Sequence, residues 1–111
     1  LPQDGLRTES RSVFAECLSV FASLKQVEHD MEAALGRMSE LDPNSADYQT
    51  AAERFAKLDA EFRARDGYAL EAKVGTVLSG LGFTKDDWHR NCEEFSGVWQ
   101  MRIALAKLLL D

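Results

Sequence analysis

From Ser12 onward the chain repeats apolar residues at helical spacing. Cys17, Leu24, Met31 and Met38 fall seven residues apart. Phe14, Phe21 and Leu35 occupy a companion register that Glu28 interrupts, with Val27 alongside. Two such stripes lie on one side of a helix, so the pattern predicts one over residues 12–41, with Ser12 as its N-cap. Leu41-Asp42-Pro43-Asn44-Ser45 ends it, because proline disfavours a helical conformation at the residue before it. Asn44 or Ser45 then caps a second helix over 45–65, with Asp47 in the first turn, where the helix dipole favours an acid. Here Tyr48, Phe55 and Phe62 share one register, and Ala51 and Leu58 the other. Three pairs, Glu53–Lys57, Asp59–Arg63 and Glu61–Arg65, stand at i,i+4 with the acid first, the order that supports a helix. Striped helices joined by a short turn predict a long antiparallel hairpin over 12–65. Its seam would set Phe14, Cys17, Phe21, Leu24, Met31 and Leu35 against Tyr48, Ala51, Phe55, Leu58 and Phe62.

Asp66-Gly67 breaks this pattern, and shorter helices follow over 69–110. A third helix over 69–81 would bury Leu70, Val74, Val77, Leu78 and Leu81, with Gly82 as its C-cap. Thr84-Lys85-Asp86-Asp87 resembles a capping box, with Asp in place of Glu, and opens a helical turn near Trp88. Ser96 caps a last helix through Leu110, with Val98, Ile103, Leu105 and Leu109 among its apolar positions. No stretch alternates as a strand does. The fold class is therefore all-α, and 1–111 form a single helical domain.

Composition narrows the function. At 111 residues and 45% hydrophobic content there is material for one small core. A net charge of −6 argues against a general nucleic-acid binder, so no DNA partner is expected. Cys17 and Cys92 stand far apart in unrelated settings, which implies no disulfide framework and favours a reducing, cytoplasmic compartment. In the C-terminal segment the longest apolar run, Ile103 to Ala106, is far too short for membrane insertion. His89 and Cys92 make an H-x-x-C pair, but two ligands fall short of the four a structural zinc needs, so no metal site is expected. Trp88 and Trp99 read as packing anchors.

One stretch carries chemistry. Residues 93–102 read Glu-Glu-Phe-Ser-Gly-Val-Trp-Gln-Met-Arg. A Ser-Gly pair opening a helix can receive an anion: the first turn leaves backbone N–H groups unpaired, and the dipole places about half a positive charge there. Serine adds a hydroxyl donor, and glycine lets a phosphate approach the backbone. By itself the pair reads as an ordinary cap, since serine caps many helices that bind nothing.

The surrounding residues add a resemblance. Phe95-Ser96-Gly97-Val98-Trp99-Gln100-Met101-Arg102, running on into Ile-Ala-Leu-Ala-Lys-Leu-Leu-Leu, resembles the signature helix of ABC ATPases, in the variant used by the ABC-F family. Upstream, Asp66-Gly67-Tyr68, Glu71-Ala72 and Leu78-Ser79-Gly80-Leu81-Gly82-Phe83 resemble that family's lead-in, and Leu1-Pro2-Gln3 resembles the end of its Q-loop. The likeness runs the length of the chain and is most specific over 78–110.

The resemblance implies a segment of a longer ATPase: the helical subdomain, from the Q-loop end through the signature. The sequence holds neither a Gly-rich loop with Lys-Ser/Thr for the phosphates nor an apolar strand ending in Asp-Glu. The chain alone is thus expected to have no catalytic residue and to hold neither ATP nor magnesium, although its parent would use both. Ser96, Gly97 and the Val98 backbone would contact, in trans, the γ-phosphate of ATP held by a second ATPase domain, and Gln3 would approach the magnesium and attacking water. Trp99 takes the place that is Gln in most transporters, and Arg102 that of the usual arginine. Two positions depart from the family: Val98 replaces the second glycine, and Gln100 replaces an Arg or Lys. The hairpin of 12–65 sits where the family inserts an arm that reaches toward the ribosome, which implies a parent acting in translation. Charge lends this no support, since 12–66 hold 11 acids and 6 bases and the turn Leu41–Tyr48 has no Lys or Arg. Alternatives are the helical subdomain of a transporter's ATP-binding subunit and a helical interaction module with no nucleotide role.

Overall fold

A computed structural model describes residues 10–111. Among them every regular element is helical, and the one extended pairing is an isolated antiparallel bridge between Ser12 and Asn91. The described chain falls into two compact units. Residues 21–69 make one, and the preceding residues to Val20 join Leu70–Asp111 in the other.

The helix expected over 12–41 begins at Val13, with the Ser12 hydroxyl accepting from the Ala15 N–H at 3.1 Å. It is not continuous. Helix α1 (Val13–Leu18) gives way to a 3₁₀ turn, Ser19–Phe21, before α2 (Ala22–Ser39). At the break the Ser19 hydroxyl donates to the Glu16 carbonyl at 2.5 Å, a local bond that competes with the helical ladder. Phe14 and Cys17 therefore leave the hairpin seam. In their own unit Cys17 is fully buried, and the Phe14 ring meets Trp88 at 5.3 Å.

The hairpin proper is α2 and α3 (Ala46–Ala64). Its turn is built by Asp42, whose side chain accepts from the Asn44 N–H at 2.9 Å and whose carbonyl accepts from the Ser45 N–H at 2.8 Å. Ser45, not Asn44, is the cap, taking the Tyr48 N–H at 3.1 Å. On α2 the buried residues are Leu24, Val27, Met31 and Ala34, so Val27 and Ala34 supply the companion stripe assigned above to Phe21 and Leu35. Leu35 is 48% exposed. On α3, Ala51 and Phe62 are buried, while Tyr48, Phe55 and Leu58 are half-buried. The pairs Asp59–Arg63 and Glu61–Arg65 close at 3.0 and 3.2 Å, and Arg54 lies 4.0 Å from Asp30 across the hairpin.

The hairpin ends on a tight corner. Asp66 takes a left-handed backbone with φ of 58°, and Gly67 then presses against the Phe62 ring. Tyr68 stands edge-on to Phe62 at 4.7 Å, donates its hydroxyl to Asp59 at 2.7 Å and lies under the Arg63 guanidinium. The bonds from Tyr68 and then Arg63 hold the Asp59 carboxyl below its usual range, while the Asp59 bond raises the Tyr68 hydroxyl.

In the other unit α4 (Leu70–Gly80), α5 (Lys85–Trp88) and α6 (Gly97–Leu110) gather around α1. Its core is Val13, Cys17, Leu70, Val74, Leu78, Phe83, Ile103, Ala106 and Leu110. Gly75 is required there: a Cβ would sit 2.9 Å from the Trp88 ring. Thr84 and Asp87 form the full capping box that the sequence suggested. The segment before α1 is sewn to the loop before α6 by Val13 N–H to Arg90 O and Cys92 N–H to Arg11 O, both 3.0 Å. Lys107 on α6 pairs with Glu16 on α1 at 2.6 Å.

Candidate functional site

The Ser-Gly turn sits at the start of α6, after a 3₁₀ turn over Cys92–Glu94. Phe95 and Ser96 are extended, with ψ of 152° and 169°, and Ser96 occupies the N-cap position. Its carbonyl takes the first helical bond, from Gln100 N–H at 2.9 Å. Its hydroxyl accepts no capping bond from the first turn. The Ser96 side chain is therefore not spent on a first-turn N–H, as an N-cap serine's usually is.

Ser96, Gly97 and Val98 are all exposed, Val98 at 66%. A Cβ on Gly97 would meet nothing within 4 Å, and its backbone is not left-handed. Within this unit nothing demands glycine at 97, and its surroundings are open to a ligand. The nearby acids are engaged: Glu94 accepts from Arg90 at 3.3 Å, and Glu93 accepts from the Ser10 hydroxyl at 2.6 Å. Expected site residue Gln3 lies outside the described residues.

The turn rests on an aromatic cluster that the sequence reading did not assemble. Phe83, just after α4, meets Trp99 at 5.0 Å and Phe95 at 5.5 Å, both edge-on. Trp99 is thus a packing anchor, as expected, and Trp88 is another. Arg90 lies over the Phe95 ring at 4.3 Å and Arg102 over Trp99 at 4.4 Å. Gln100, read above only as a lost charge, donates its side-chain amide to the Phe95 carbonyl at 2.9 Å. Gly82 closes α4 with φ of 98°, and Phe83 N–H returns to Leu78 O at 3.0 Å, so the expected glycine C-cap is present. The available signal was Gly82-Phe83 followed by Phe95 and Trp99, aromatics spaced to meet only once α4 and α6 pack.

Chemically the turn offers hydrogen-bond donors and a dipole end to an anion, without a poised base or nucleophile. The two thiols are less acidic than usual. Burial, then the facing Cys92 and Glu16, pushes Cys17 up to about 11, and burial also raises Cys92. Among the described residues no three His, Cys, Asp or Glu side chains gather as a metal site.

The chain is similar to known proteins over most of its length. Over 104 residues the chain is 32% identical to ABC transporter F family member 4 of Arabidopsis thaliana, a match that takes in 91% of this chain. The chain belongs to the ABC-F family. The mouse ATP-binding cassette sub-family F member 2 is 29% identical over 104 residues, and a putative ATP-binding protein of Bacillus subtilis, YdiF, is 43% identical over 56. The ABC-F chain described here spans only 14% of the Arabidopsis protein and 17% of the mouse one, so it corresponds to one segment of much longer ATP-binding proteins. No family model matches it, and neither does any solved structure. No helix among the described residues is long and apolar enough to cross a membrane.

Proposed function

We propose that this chain is the helical subdomain of an ABC-F ATPase and that it presents the signature motif to ATP bound by a second ATPase domain. Ser96 contributes its hydroxyl, and Gly97 and Val98 contribute backbone N–H groups to the γ-phosphate. Gln3 would approach the magnesium, as the Q-loop resemblance implies. Magnesium-ATP, held by the opposing domain, supplies the phosphoanhydride; these residues bind and orient its outer end. The parent is a cytoplasmic ATPase acting on the ribosome, and the α2–α3 hairpin is its arm.

The observation that carries this reading is the Ser96 hydroxyl, exposed at the start of α6 and committed to no capping bond. The residues fit one face of a phosphate. They do not fit a whole nucleotide, because a half-charge of dipole and one hydroxyl compete poorly with water. A composite site shared with a second domain resolves that shortfall.

Ser96→Glu tests it. The substitution puts a carboxylate where the γ-phosphate would lie, at an exposed position whose side chain supports no bond in the fold. In the full-length protein it should abolish ATP-dependent closure of the two ATPase domains and cut turnover at least tenfold, while the 111-residue chain keeps its helical spectrum and melting temperature. Unchanged closure and turnover would refute the assignment of Ser96.

A further inference from the structure

The turn that offers Ser96 and Gly97 is irregular, so something must fix its direction. Three contacts converge on it. The Phe95 ring is held between Phe83 and Trp99, at 5.5 and 6.3 Å. The Phe95 carbonyl is held by Gln100. The third contact comes from Arg102, 21 residues beyond its partner: its Nη1 donates to the Leu81 carbonyl at 2.9 Å while its guanidinium lies over the Trp99 ring at 4.4 Å.

That arrangement uses both properties of arginine. Leu81 lies just past α4, at the negative end of the helix dipole, where a cation is favoured and carbonyls lack helical partners. The planar guanidinium can cap that end and stack on an indole at once, which a lysine cannot do. Gly82 makes the approach possible: a Cβ there would stand 3.1 Å from Arg102 Nη1 and 3.4 Å from the Trp99 ring. Arg102 is itself exposed, so it fills no core space.

We propose that Arg102 is a positioning residue for the phosphate contact: it ties Trp99, and through Trp99 the Phe95–Gly97 turn, to the C-terminal end of α4. It touches no phosphate itself. Without it the hydroxyl and N–H groups at 96–98 remain, but they sample directions that miss the γ-phosphate. The inference rests on the signature role of Ser96.

The test compares Arg102→Gln, Arg102→Lys and Ser96→Glu in the full-length protein, reading the magnesium-ATP concentration that half-saturates domain closure and the turnover at saturation. Arg102→Gln should raise the half-saturating concentration about tenfold and leave saturated turnover within about twofold, because ordering the turn is a cost that excess ATP overcomes. Arg102→Lys should fall between, keeping the charge and losing the stack. Amide exchange at residues 97–99 of the 111-residue chain should quicken in the same order. A merely structural role would instead lower the melting temperature and the saturated turnover together. If Arg102→Gln does not fold, Arg102→Lys decides: native half-saturation and native exchange overturn the proposal. Ser96→Glu separates the two readings. Loss with Ser96→Glu and no shift with either Arg102 variant overturns the role of Arg102 alone. No effect of Ser96→Glu overturns the signature reading on which it stands.

Discussion

Val98 stands where the resemblance to the family implies a second glycine. Its side chain is exposed, one residue after Gly97. Nothing in the fold needs valine there, since its burial is small and a β-branched residue is no better a helix former than its neighbours. Under the proposed function its methyls stand on the face where the phosphate arrives. Val98→Gly should therefore strengthen ATP-dependent association of the two ATPase domains in the full-length protein, at a cost of about 0.3 kcal/mol in helix stability. Association and melting measured on the same pair of proteins check both halves. Equal association with either residue would show that the valine is accommodated. Weaker association with glycine would remove position 98 from the site.

At the scale of elements, the periodic segments were legible and their breaks were not. The α3 bounds, the Ser45 cap, the Thr84–Asp87 capping box and the Gly82 terminus each follow from local rules that tertiary packing did not override. The interruption at Ser19–Phe21 was hidden because the heptad of Cys17, Leu24 and Met31 runs straight through it. Spacing reports which side of a helix is apolar; it does not report which neighbour covers it. For the same reason the companion stripe was placed on the bulky Phe21 and Leu35, when the residues buried on that side of α2 are Val27 and Ala34. Phe55, expected in the seam, is half-buried, and the fully buried ring of the hairpin is Phe62, 2% exposed. Phe62→Ala should cost about 3–5 kcal/mol. Gly67→Ala should cost about 1–3 kcal/mol, because its Cβ would lie 2.5 Å from three atoms of that ring. Their double variant should lose less than the sum, as the vacated ring makes room for the methyl. Denaturant melts of the four proteins provide the comparison, and strict additivity would mean that the corner does not pack as described.

For the whole molecule, the residues that present the candidate site could be read in sequence, while the machinery that holds them could not. Ser96 and Gly97 announce a helix start at which an anion can be received, and the flanking residues announce a family. The support from Phe83, Trp99 and Arg102 exists only once α4 and α6 have packed, since those residues lie up to 21 positions from their partners. Under the proposed function the γ-phosphate contact is made in trans and the rest of the nucleotide is held by the opposing domain, so the central claim must be tested between two domains. The most direct measurement is photocrosslinking with an ATP analogue carrying an aryl azide on the γ-phosphate, bound to the full-length protein with magnesium. Trypsin releases residues 91–102 as one peptide, between Arg90 and Arg102. The account predicts that this peptide is labelled when both ATPase domains are present and that labelling is lost when the opposing domain is deleted. Label that never reaches residues 91–102, or that reaches them without the opposing domain, would contradict it.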